Sequence, residues 1–220
     1  MAIPLCLPNN CTWDSETGLR VSSEEERRYL YVVEDALEQL RKIKEPVCVV
    51  SIAGPYRRGK SFVLSEVFGQ PEVFPLGHKM KPETMGIWLW IVPRAFEDST
   101  GREFKVVLLD TEGTDAVTSE SYDNSQIFTL TVLLSSVLIY NSQCVPTRAD
   151  REGLNYIAKL SQSIEGPSKT KAEAGKSQED LKFFCKTFPF LIWLLRDDTL
   201  DLPSDCNSYK EYFLKEVYFI

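Results

Sequence analysis

Eight residues limit what this chain can be more than any others. Gly54-Pro55-Tyr56-Arg57-Arg58-Gly59-Lys60-Ser61 fits the pattern G-x-x-x-x-G-K-S/T in full. Before it runs Val47-Cys48-Val49-Val50-Ser51-Ile52-Ala53, nearly all apolar and rich in β-branched residues, which suits a central strand buried on both faces of a parallel sheet. After it the pattern predicts a helix from Lys60 to Phe68. The two glycines let the backbone wrap closely, so that its N–H groups point at phosphate oxygens. The helix presents its positive N-terminus to the same anion. In such a loop Lys60 reaches the β- and γ-phosphates and the Ser61 hydroxyl ligates Mg²⁺. The competing reading is a Gly-rich turn that binds nothing; the strand before and the helix after weigh against it.

The rest of the chain reads as one α/β domain of 220 residues, with strands and helices alternating around a largely parallel sheet. Residues 1–21 carry Pro4, Pro8, Asn9, Asn10 and Gly18 and read as irregular. Ser23 with Glu26 forms a capping-box pattern, and Tyr29, Val33, Leu37 and Leu40 follow at helical spacing. A leading helix is therefore expected within residues 22–45. Further strands are expected at Ile87–Val92, Phe104–Leu109 and Phe188–Leu195, and a helix running into a buried strand over Asn124–Tyr140. Residues 150–164 read as helical and 165–179, rich in Gly, Ser, Lys and Glu, as a surface loop.

Composition narrows the function. With 25 Lys+Arg against 32 Asp+Glu the net charge is −7, which argues against nucleic acid bound through a general basic surface. A single histidine, His78, makes clustered-His metal sites and His-rich catalysis unfavourable readings. The six cysteines include no C-x-x-C pair, and Met1-Ala2-Ile3-Pro4-Leu5-Cys6 has neither a basic nor a long apolar region, so reduced thiols in a cytoplasmic protein are expected. No stretch approaches the ~20 apolar residues that span a bilayer, and no lipidation motif is present, so no membrane anchor is expected.

A second signal is Asp110-Thr111-Glu112-Gly113 at the end of the Phe104–Leu109 strand. A P-loop protein needs an acidic residue there to hold Mg²⁺, and the glycine three residues on can offer its N–H to the γ-phosphate. P-loop plus D-x-x-G leads to GTPases. Together with Thr84-Met85-Gly86-Ile87-Trp88-Leu89-Trp90, Trp193-Leu194-Leu195-Arg196-Asp197, Phe74-Pro75-Leu76-Gly77 and the run Val132–Asn141, the chain resembles the guanylate-binding proteins, large GTPases of the dynamin superfamily. The likeness covers roughly residues 4–202.

That resemblance implies a P-loop NTPase-type three-layer fold, C-terminally incomplete relative to the family. It places the nucleotide along Gly54, Tyr56, Arg57, Arg58, Gly59, Lys60, Ser61 and Phe62, with Asp110 and Gly113 at the phosphate end. It implies Mg²⁺ held by Ser61, Thr84 and Asp110, with Thr84 as the switch threonine. It implies Lys60 and Arg57 as catalytic cations, Arg57 acting as an internal finger once two domains dimerise, and Glu112 as organiser of the attacking water. Arg196-Asp197 would read guanine, Asp197 accepting from N1–H and the exocyclic amine, a donor pair that adenine lacks. Partners would be GTP and GDP and another copy of this or a related domain, with roles in innate defence. Arg57 and Arg58 also fit plain solvated loop cations.

Two departures matter. Pro82 stands where the family usually has a serine whose hydroxyl helps activate water, which counts against fast hydrolysis. The chain ends at Ile220, short of the family's full domain; a fragment, a truncated isoform and a gene-model artefact all fit. The leading expectation is a GTPase activated by dimerisation. The alternatives are a nucleotide-switched interaction protein with weak turnover, and a P-loop ATPase.

Overall fold

The computed structural model describes residues 1–68, 73–74, 84–113, 121–143, 147–148, 150, 152–156 and 188–196. Pro82, Asp197, the 165–179 loop and most of the 150–164 helix expected from sequence lie outside these residues; residues 152–156 are helical.

The first third of the chain differs from expectation. Residues 1–21 are not irregular: they form β1 (Ile3–Pro8), β2 (Cys11–Asp14) and β3 (Gly18–Val21). The expected 22–45 helix shrinks to α1 (Glu34–Arg41), preceded by a strand, β4 (Leu30–Val32). The prolines that suggested turns are accommodated locally. Pro8 ends its strand, and the β1 register shifts between Pro4 and Cys6, a bulge of the kind that tolerates proline. The capping-box pattern loses to Asn9. Its side chain accepts from the N–H groups of Arg28 (2.7 Å) and Tyr29 (3.2 Å) and donates to the Glu26 carbonyl (3.0 Å). These bonds hold residues 26–29, which are not helical, against the end of β1. The helix starts only at Glu34, after Val33, with no side-chain cap.

Beyond residue 46 the apolar runs fold as read. They give β5 (Val47–Ala53), α2 (Lys60–Val67), β6 (Ile87–Ile91), a short β7 (Phe96–Glu97), β8 (Glu103–Thr111), α3 (Ser121–Leu134), β9 (Val137–Gln143) and β10 (Phe190–Arg196). The main sheet runs β10-β9-β5-β8-β6-β1-β4, with β7 paired to β8. Strands β10, β9, β5 and β8 are parallel. Strands β6, β1 and β4 extend the sheet with antiparallel pairings. Strands β2 and β3 form a separate hairpin.

Alternation along the strands separates two cores. Val50, Ile52, Trp88, Trp90, Val106 and Leu108 point to one face, where Leu64 of α2 and the hairpin residues Trp13 and Leu19 cover them. Trp13 meets Trp88 edge-on, ring centroids 5.4 Å apart. Leu89, Val107 and Leu109 point to the other face, packed under Ala36 of α1 and Ile127 of α3. The result is a helix–sheet–helix α/β fold. Among the described residues no helix is long and apolar enough to cross a membrane.

Candidate functional site

The site lies where the parallel strands end. Ile52 of β5 is in register with Asp110 of β8, Ala53 with Tyr140 of β9, and Gln143 with Arg196 of β10, so their carboxyl ends open on one edge, where open α/β sheets bind ligands. The 54–59 loop leaves β5 here. Gly54 has φ 137°, and a Cβ on it would fall on the Asn141 carbonyl oxygen; only glycine lets β5 turn away this close to β9. Arg57 (φ 59°) and Gly59 (φ 66°) are both left-handed. Alternating left- and right-handed residues turn successive N–H groups inward, which makes an anion-binding concavity. A left-handed arginine is also a strained position of the sort that collects at functional sites.

Lys60 opens α2 and is buried, its Nζ donating to the Pro55 carbonyl at 3.1 Å across the loop. Burial pushes its ammonium down to about 8, partly opposed by Asp110 and Glu112. Next to it, Ser61 Oγ donates to Asp110 Oδ2 at 2.6 Å, and Thr84 Oγ1 donates to the same oxygen at 3.3 Å. Asp110 is wholly buried, which raises its carboxyl above the usual range against the pull of Ser61, Lys60 and Thr84. Its other oxygen, Oδ1, is buried with no hydrogen-bond partner among the described residues. A lone carboxylate with an orphaned oxygen beside two hydroxyls fits Mg²⁺, which takes one or two carboxylates and completes its shell with water and phosphate. Among the described residues no cluster of three His, Cys, Asp or Glu side chains offers a site of another kind.

Thr111 Oγ1 bonds the Ile52 carbonyl at 2.9 Å and locks the end of β8 to β5. Gly113 then packs on the phosphate loop itself: a Cβ there would stand 2.9 Å from both Tyr56 N and Tyr56 Cβ. Glu112 is held by three donors. Arg27 donates to Oε1 at 2.9 Å and to Oε2 at 2.7 Å, and the Gly86 N–H donates to Oε2 at 3.0 Å. Three of the roughly four acceptor positions of a carboxylate are thereby filled.

Arg196 bonds to the protein itself. Its Nε donates to Asn141 Oδ1 at 3.0 Å and its Nη2 to the Arg58 carbonyl, while Asn141 Nδ2 donates to that same carbonyl at 2.8 Å. Arg196 and Asn141 thus brace the phosphate loop just before Gly59. Asp197, the expected guanine acceptor, lies outside the described residues. Arg58 bonds Gln143 Oε1 at 2.7 Å. Arg57 is exposed, with its guanidinium 5.5 Å from the Tyr56 ring centre. Phe62 is half exposed on α2.

Sequence reasoning assigned no role to Asn141, Arg27 or Asn9. A buried Asn closing the apolar run of β9 was a signal, since a polar group there must find partners. Arg27 gave none, being one charge in the stretch Glu24-Glu25-Glu26-Arg27-Arg28.

Comparison with known proteins points to one family. Residues 27–217 match the family model described as "Guanylate-binding protein, N-terminal domain". The chain is 38% identical to human guanylate-binding protein 4 over 212 residues, covering 96% of this chain and 30% of that protein. It is 40% identical to human guanylate-binding protein 3 over 187 residues, covering 82% of this chain and 30% of that one. Against mouse guanylate-binding protein 7 the identity is 38% over 223 residues, covering 99% and 32%. The chain therefore spans about a third of the length of the curated relatives it matches.

Proposed function

Since the chain belongs to the guanylate-binding protein family, we propose that it binds GTP with Mg²⁺ and hydrolyses it, faster when two such domains meet. One observation carries this reading: Ser61 and Thr84, from two different segments, converge on one oxygen of buried Asp110 beside the Lys60 ammonium. Nothing in core packing requires two hydroxyls, a carboxylate with an orphaned oxygen and a lysine at one strand end. A phosphate–metal complex does.

Ser61, Thr84 and Asp110 would hold Mg²⁺, whose chemistry here is to neutralise charge on the β- and γ-phosphates. Lys60 exchanges its bond to the Pro55 carbonyl for phosphate oxygens, and its ammonium regains the counter-charge that burial denies it. The Gly113 N–H marks the γ-phosphate end, because Gly113 rests against Tyr56 of the loop. Glu112 holds its own loop to Gly86 and has one acceptor position left for an attacking water. Arg57 faces solvent, so a second copy seated over the site can close it and place that cation on the developing charge. Arg196 stiffens the loop, and Asp197 is the residue to select guanine. A cytoplasmic setting fits the free Cys6, Cys11 and Cys48, whose thiols burial raises and so quietens.

A second reading keeps nucleotide binding and drops useful turnover. It is favoured by Pro82 and by the engagement of Glu112 with Arg27. The test is Mg²⁺-dependent binding of fluorescent GTP, GDP and ATP, with Asp197→Ala alongside, followed by GTP turnover against protein concentration. Guanine-selective binding that is lost in the variant supports the proposal. Turnover per molecule that rises with concentration and collapses in Arg57→Ala supports the GTPase form; a flat, negligible rate leaves the switch. Equal binding of ATP and GTP would overturn both.

A further inference from the structure

We infer that Arg27 is a positioning residue for the γ-phosphate end of the site: it anchors Glu112, and through Glu112 it holds the Thr84 and Gly113 segments in register. The inference rests on the nucleotide-binding reading above. Three observations carry it.

First, Arg27 is a built feature and not a passing surface charge. Its side chain is 8% exposed and that of Glu112 1%, and the two meet through both terminal nitrogens and both carboxylate oxygens. The Asn9 amide grips the backbone on either side of Arg27, donating to the Glu26 carbonyl and accepting from the Arg28 N–H. Arg27 therefore projects from a fixed point.

Second, Glu112 is a junction. Its carboxylate takes the Gly86 N–H, and its own N–H donates to the Gly86 carbonyl at 2.8 Å. Gly86 lies two residues after Thr84, and Gly113 follows Glu112 directly. Gly86 in turn lies against β1, where a Cβ on it would strike the Cys6 carbonyl oxygen. Both segments that sense the γ-phosphate thus share one anchor, and that anchor is supplied by the N-terminal part of the chain.

Third, stability alone is a poor account of the pair. A buried ion pair commonly breaks even against well-packed apolar residues, and its best-attested gain is the fixing of one geometry. The fork-to-fork bond fixes both the distance and the plane of the Glu112 carboxylate.

The consequence separates GTP from GDP. GDP lacks the γ-phosphate that Thr84 and Gly113 address, so its phosphates are held chiefly by the 54–61 loop. The experiment measures Mg²⁺-dependent affinity for fluorescent GDP and for a non-hydrolysable fluorescent GTP analogue. It uses the unchanged 220-residue chain, Arg27→Ala and Arg27→Lys, with thermal unfolding of each. The expected result for Arg27→Ala is GDP affinity within about twofold and GTP-analogue affinity lower by about tenfold, with partial recovery in Arg27→Lys. Equal losses for both nucleotides, or no loss for either, would overturn the inference. So would failure of both variants to fold, which would make the pair a stability element. If the unchanged chain binds neither nucleotide, the nucleotide-binding reading itself fails, and the role of Arg27 with it.

Discussion

Replacing Gly113 by alanine adds one carbon and two hydrogens where the D-x-x-G loop meets the phosphate loop. The new Cβ would stand 2.9 Å from the backbone nitrogen and Cβ of Tyr56, and neither is the movable tip of a long side chain. Tyr56 Cα lies nearer still, and carbon atoms prefer separations of about 3.5–4.0 Å, so one loop must retreat by at least about 1 Å. Overpacking of this kind costs roughly 1–3 kcal/mol of stability. The larger effect is on geometry. A displacement near 1 Å is enough to cost on the order of 100-fold in rate, and here it separates the Gly113 N–H from the γ-phosphate while leaving Lys60 and Ser61 in place. The variant should therefore bind GDP within about threefold of the unchanged chain and turn over GTP on the order of 100-fold more slowly. The assays are fluorescent-GDP titration and chromatographic measurement of GTP hydrolysis, with thermal unfolding as the control on folding. Turnover within about threefold of the unchanged chain would refute the claim that contact between Gly113 and Tyr56 sets the γ-phosphate end of the site. Matching losses of GDP binding and turnover would refute the claim that the loop acts on that end alone.

Two further outcomes follow from the same site. Burial holds Lys60 at about 8 in the folded chain, below the 10.5 of an unperturbed lysine. Between those values the unfolded chain binds more protons, so stability of the nucleotide-free chain should rise with pH from about 8 toward 10.5, by at most about 1.4 kcal/mol per pH unit. Urea unfolding at stepped pH checks this; Lys60→Met should flatten the rise, and an equal rise in that variant would sink the attribution. The second outcome concerns the brace on the Arg58 carbonyl. Asn141→Ala or Arg196→Ala removes one of its two donors and should weaken binding of GTP, GDP and ATP alike by about tenfold, each lost bond being worth about 1–2 kcal/mol. A change confined to guanine nucleotides would instead return Arg196 to base reading.

How legible the molecule was depended on whether local pattern or distant pairing decided each element. Strands β5, β6, β8 and β9 are apolar because the sheet buries them, so composition alone exposed them; β10, read from its composition as a buried strand, is a strand whose Phe190, Leu191 and Ile192 are exposed among the described residues. The phosphate loop was legible because its glycines answer a local steric demand: Gly54 abuts Asn141 and Gly59 is left-handed. The first 33 residues were not legible. Pro4 and Pro8 resemble turn residues until β1 is paired with β6 and β4, and the helical spacing of Tyr29 and Val33 is overruled by the Asn9 amide. In the candidate site, Lys60, Ser61, Thr84 and Asp110, which the motifs placed together, lie side by side in the fold. The engagements of Glu112 and Arg196 were hidden, because each partner is remote: Arg27 lies 85 residues from Glu112, and Arg58 lies 138 from Arg196.

The place of β1 in the sheet bears on how the chain comes into being. Ile3 pairs with Leu89, so this strand waits for its inner neighbour until synthesis has passed β6. At roughly 5–20 residues per second that wait lasts several seconds. Meanwhile β4 is the only one of its two neighbours already made, joined through Cys6–Val32, Leu7–Tyr31 and Pro8–Leu30. The N-terminal segment can thus pair early with itself and must keep its other edge open for the strand that completes it. Its assembly into the sheet is a late, long-range step, and the Arg27–Glu112 contact, which waits for a residue made after Leu89, comes later still.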